Sequence, residues 1–139
     1  MAASLVEAML APLKRIDGFA LASLIDADTG MVLGAVREDA SVSVPVAAAG
    51  AADVVSVLSL MASRLALQDD LEDVIVTLGS HYHLIRMLPP EPAGQLILLV
   101  TLKRPTANLA MAHREVRESA SAAAGHWFPG RPQDDASRA

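Results

Sequence analysis

Residues 40–63 form a run of 24 positions with a single charge, Asp53. Such a segment is poorly suited to lie bare in water, so it must be covered by a membrane, by its own domain or by another chain. Its many Ala and Ser residues make it too polar for a convincing membrane span. Ser41 or Ser43 can cap a helix here, with Pro45 in the first turn. The pattern runs to about Leu67, where Gln68-Asp69-Asp70 breaks it, making this the longest element of the chain. A water-soluble helix of this kind needs cover on more than one side.

The rest of the chain supplies one cover. Leu96-Ile97-Leu98-Leu99-Val100 is continuously apolar, as a strand covered on both faces is. Residues 19–26, 31–36, 71–78, 81–88 and 95–102 read as strands, linked by Asp26-Ala27-Asp28-Thr29-Gly30, Gly79-Ser80 and the proline-rich loop 89–94. Leu5, Met9, Leu13 and Ile16 mark a first helix over 3–16, bent or shortened by Pro12. A third helix starts at Pro105-Thr106, with Leu109, Ala112, Val116, Ala120 and Ala123 on one stripe. The order α-β-β-α-β-β-β-α, with short links between neighbouring strands, implies an α+β fold: a five-stranded antiparallel sheet with helices on both faces. Residues 1–124 form one domain, and 125–139 read as a flexible tail onto which Trp127 and Phe128 can dock back.

Composition narrows the function. In 139 residues there are 26 Ala and only 3% aromatics, so the core is aliphatic with close backbone approaches. The net charge of −5 argues against a nucleic-acid binder held by phosphate contacts. The absence of Cys excludes disulfides, thiolate metal sites and Cys nucleophiles. Glu7, Lys14 and Arg15 interrupt what a secretion signal would require, so the expected compartment is the cytoplasm, without membrane insertion.

Three stretches carry a resemblance. They are Ile16-Asp17-Gly18-Phe19-Ala20-Leu21-Ala22-Ser23-Leu24-Ile25-Asp26 followed by Asp28-Thr29-Gly30, the small-residue helix 46–67, and the strand 95–102 followed by a helix. Together with the element order they make residues 3–122 resemble the Roadblock / dynein-light-chain family, in its bacterial form. The resemblance implies a profilin-like fold. It also implies a homodimer or heterodimer that acts as a scaffold or regulator for small Ras-like GTPases. Pro12, the loop 89–94 and the tail depart from the family's pattern.

On a helical wheel, Val54, Val57, Leu58, Met61 and Leu65 form the broad apolar side of the long helix, expected to lie on the sheet. Ala48, Ala52, Ser56, Ser59 and Ser63 form a narrow stripe that lets a second helix approach closely, beside Asp53, Leu60 and Arg64. These eight residues are the expected dimer or partner interface. Asp53 and Arg64 lie eleven residues apart on nearly one meridian. Two copies packed antiparallel about a point between Leu58 and Ser59 would bring Asp53 of one to Arg64 of the other, twice.

Other constellations read as structure. Asp28-Thr29-Gly30 matches the aspartic-protease tripeptide, but a hairpin turn needs the same residues and the helices do not suit that all-β class. Asp26-x-Asp28-x-Gly30 begins like a calcium loop, yet its twelfth position is Arg37. His81-x-His83 puts two imidazoles on one side of a strand, where they can ligate zinc. His113 and His126 are distant in sequence, and a half-exposed hairpin pair is the simpler reading. There is no phosphate loop and no Gly-x-Ser-x-Gly elbow. No catalytic residue, cofactor or metal is expected. The leading reading is a non-catalytic, homodimeric interaction module with a Ras-like GTPase as partner. The alternative is a ligand-sensing module of the PAS or GAF type, for which the aliphatic strands offer little polar or aromatic lining.

Overall fold

The computed structural model describes residues 3–66, 68–90, 92 and 94–127. Helix α1 (Ala3–Leu10) passes into a short 3-10 helix (Ala11–Arg15), followed by β1 (Phe19–Asp26), β2 (Val32–Arg37), α2 (Val44–Arg64), β3 (Asp73–Thr77), β4 (His81–Met87), β5 (Leu96–Lys103) and α3 (Leu109–Trp127). The strands form one antiparallel sheet in the order β2-β1-β5-β4-β3. This is the α-β-β-α-β-β-β-α architecture expected from the sequence.

The two-sided apolar strand explains the layering. β5 lies at the centre, between β1 and β4, and Ile97 to Leu102 are all buried. Its even-numbered residues Leu98, Val100 and Leu102 join Leu24 and Leu84 beneath Val6 and Leu10 of α1 and Ala112, Val116 and Ala120 of α3. Its odd-numbered residues Ile97 and Leu99 join Leu21, Ile25 and Ile85 beneath Ala48, Ala51 and Val55 of α2. Period-two alternation thus sends one strand's side chains into two separate cores.

Local chemistry moves several boundaries. Pro12 sits in the 3-10 turn, which shifts the helical phase. Val6, Leu10, Leu13 and Ile16 are buried as a result, and the predicted Leu5 is left half exposed. The long helix stops at Arg64 rather than Leu67, where Ala66 turns into the left-handed region at φ 54°. The third helix begins at Leu109 rather than Pro105, because the Asn108 side-chain oxygen accepts the Met111 N–H at 3.1 Å. It runs on to Trp127, past the expected boundary at 124, while positions 128–139 lie outside the described residues. Gly18 takes φ 83°, and a Cβ there would stand 2.7 Å from the Lys103 carbonyl, so only glycine fits where the chain enters β1.

One polar cluster fastens α3 to the sheet. Asp73 on the edge strand β3 accepts from Arg86 at 3.1 Å and pairs with His113 Nε2 of α3 at 2.7 Å, both at the same oxygen. Burial raises the Asp73 pKa, but the hydrogen bonds and charges of His113 and Arg86 outweigh it and hold the carboxyl below its ordinary value. Its contribution is therefore complete above the ordinary carboxylate range and is lost as pH falls through the lowered folded value. Asp73→Asn should cost about 1–2 kcal/mol of unfolding free energy at neutral pH. In urea unfolding, the gap between the two proteins should close as the medium is acidified below about pH 4.

Candidate interaction surface

Helix α2 begins where Ser43 accepts the Val46 N–H at 3.4 Å, with Pro45 in the first turn. The structure corrects its predicted orientation. Ala48, Ala51, Ala52 and Val55 are the buried positions: Ala48, Ala51 and Val55 sit on the sheet, and Ala52 packs over the hairpin tip at Gly30. The opposing sheet face is built of Leu and Ile, and small helix residues let the backbone settle close above those bulky side chains. A Cβ placed on Gly30, at the tip of the β1–β2 hairpin, would be in contact with Ala49 and Ala52. Ala48 and Ala52 therefore belong to the intramolecular seat of the helix and not to an outer seam.

The other six predicted residues, Asp53, Ser56, Ser59, Leu60, Ser63 and Arg64, are exposed. So are three residues expected to lie on the sheet: Val57 at 65%, Met61 at 51% and Leu65 at 59% relative exposure. Val46 is exposed as well, at 72%. The helix thus carries two apolar stripes, a small one turned inward and a bulky one turned outward. The bulky stripe is the part of the surface that the wheel places on the sheet and the structure places outside. Its signal was present in the spacing of Val46, Val57, Leu60 and Met61, which no single sheet-facing arc can hold together with Ala48, Ala51 and Val55.

Asp53 and Arg64 are the two charges of α2. They are about 16 Å apart along the axis and about 20° apart around it. Among the described residues neither forms an ion pair within the chain. By length and composition α2 could cross a membrane, but its seat on the sheet uses the side a bilayer would have to cover.

Beside α2 an open pocket of about 530 Å³ is lined by Asp28, Thr29, Gly30, Asp53, Ser56, Ser59, Met87 and Gln95, among others. The Asp28-Thr29-Gly30 tripeptide is a turn held by its own side chains. Asp26 accepts the Asp28 N–H at 2.9 Å, Thr29 accepts the Met31 N–H at 3.2 Å, and Gly30 has φ 77°. Asp28 reaches across to accept the Gln95 N–H at 3.2 Å, tying the hairpin tip to the start of β5. Among the described residues no three metal-ligating side chains converge. His83 is half buried, and burial, then the nearby His81, lowers its pKa, favouring the neutral imidazole.

This architecture recurs in solved structures. A Roadblock/LC7 domain from Streptomyces avermitilis superposes with a TM-score of 0.72 at 21% identity, over 87% of this chain and 96% of that one. The gliding protein MglB of Thermus thermophilus gives 0.72 at 16% identity, over 88% and 87%. MglB of Myxococcus xanthus gives 0.70 at 9% identity, over 90% and 86%. No protein-family model and no curated protein matches the chain. The chain has the Roadblock/LC7 fold.

The two stripes of α2 respond differently to a charge. Ala48→Glu buries a carboxylate under the helix and should destabilise the domain by several kcal/mol or prevent folding. Leu60→Glu on the outward face should leave the chain folded, with the circular dichroism spectrum of the parent chain.

Proposed function

We propose that this chain is a non-catalytic, homodimeric scaffold that regulates a small Ras-like GTPase in the cytoplasm, and that the outward side of α2 is where it meets its own copy and its partner. The observation that carries the reading is the bulky apolar stripe on that side, Val57, Leu60, Met61 and Leu65, which the described residues leave exposed. Exposed apolar surface of this kind marks sites of association, and the commonest closed assembly is a two-fold homodimer. The resemblance of residues 3–122 to the Roadblock family supports the GTPase as partner, as does the fold shared with two MglB proteins.

The two charges set the register. With α2 antiparallel to its copy about a point between Leu58 and Ser59, Asp53 meets the copy's Arg64 at both ends. Such rim pairs add only about 0–1 kcal/mol each. Their value lies in excluding slipped or parallel arrangements, in which like charges meet or both charges stay unpaired. Ser56 and Ser63 border the seam, while Ser59 continues the sheet-facing row of Ala48 and Ala52 into the pocket beside α2. The GTPase is met through the platform formed by the paired helices. Its regulation works by positioning the GTPase's own groups rather than by supplying a reacting group.

Multi-angle light scattering on the parent chain should give twice the monomer mass, and a monomer would refute the reading. Arg64→Asp should weaken the dimer, and Asp53→Arg in the same chain should restore it. Purified small GTPases in both nucleotide states, passed over the immobilised dimer, should show a binder that the Leu60→Glu chain no longer captures.

A further inference from the structure

The β3–β4 hairpin carries two histidines that the outward side of α2 does not involve. His81 and His83 are two residues apart on β4, so both side chains leave the same face of the sheet, with Cα atoms about 7 Å apart. That face is the α2 side: Ile85, the next residue in the row, packs in the core beneath α2. Each ring is held at Nδ1 by a hydroxyl. Thr101 Oγ1 stands 2.8 Å from His83 Nδ1, directly across the β4–β5 register. Ser80 Oγ stands 2.9 Å from His81 Nδ1. Thr101 is only 1% exposed, on the central strand, so the first of these supports is rigid.

When Nδ1–H donates to these oxygens, each imidazole is fixed in the tautomer whose Nε2 carries a lone pair. Metal-ligating histidines are organised in this way: an outer acceptor holds one nitrogen and orients the ring while the other nitrogen binds. The one cation opposite the pair in register, Lys103 across from His81, is turned to Asp39 at 3.6 Å. His113 lies with Asp73 and α3, on the other face of the sheet.

We infer that His81 and His83 form a two-imidazole site for a divalent transition-metal ion of borderline softness, such as Zn²⁺, Ni²⁺ or Cu²⁺. Imidazole favours these ions over Mg²⁺ and Ca²⁺, which take oxygen ligands. Among the described residues no third His, Cys, Asp or Glu joins the pair. The chain therefore fills two coordination positions and leaves the others to water or to a donor on another molecule.

The test uses the full, untagged chain after treatment with a chelator. Zn²⁺ is added stepwise and the four histidine ring C–H signals are followed by NMR, with Mg²⁺ and Ca²⁺ as controls. The expected result is one ion per chain, with the His81 and His83 signals moving together, His113 and His126 still, and no response to the control ions. His81→Ala, a change at a partly exposed position that keeps the fold, should weaken binding at least tenfold. Thr101→Val, which keeps both ligands, should weaken it by about tenfold through loss of the orienting hydroxyl. The inference is overturned by no binding to the parent chain, by unchanged affinity in the His81→Ala chain, or by signals that move at His113 or His126 instead. Unchanged affinity in the Thr101→Val chain would overturn the orienting role of Thr101.

Discussion

The seating of Ala48, Ala51 and Val55 on a sheet face of Leu21, Ile25, Ile85, Ile97 and Leu99 decides how the rest of the molecule presents itself. Bulk on the sheet is complemented by smallness on the helix, so the backbone of α2 comes close over Ala48, Ala51 and Val55, and the space opens into the pocket only toward Ser56 and Ser59. Once that side is committed, the larger aliphatic residues of the same helix have no place left inside. A sheet of five short strands cannot wrap a 21-residue helix, so Val57, Leu60, Met61 and Leu65 are left facing water. The exposed stripe follows from the internal packing.

Much of the architecture was legible in the residues. Period-two alternation, the unbroken run at 96–100 and the Gly- and Pro-bearing links announce the strands, and the order of short connections leaves an antiparallel sheet as the economical solution. What the pattern did not announce came from chemistry acting at single positions. Pro12 changed the phase of the first helix, so that Val6 replaced Leu5 in the core. Asn108 caps the third helix, which therefore starts at Leu109, four residues beyond Pro105. The tie between Asp28 and Gln95 joins residues 67 positions apart, which no local reading can see.

The site was half legible for a different reason. A wheel reports which residues share a side, but not which side a sheet will choose when both are apolar. The ordinary rule sends the larger side chains inward. Here it fails because the strands already fill the interior with Leu and Ile, and a second bulky layer would hold the helix too far away. Ala48 and Ala52 were thus drawn into the core, and the four larger residues were turned outward. Asp53 and Arg64 are exposed, as a charge without an internal partner cannot be buried against that surface.

The solved structures of the same fold share between 9% and 21% identity with this chain over most of its length. A scaffold that survives such divergence asks only for hydrophobic size and period, and many combinations of Leu, Ile, Val and Ala satisfy it. On the proposed function, partner selection falls to positions where size and period are not the constraint. On α2 that is the outward side, where the sheet makes no demand and a charged helix would be more soluble. The chain keeps apolar residues there and interrupts them with one acid and one base, eleven residues apart. Solubility alone gives no reason for such a surface. A partner that covers the apolar stripe and must find one register gives a reason for both features at once.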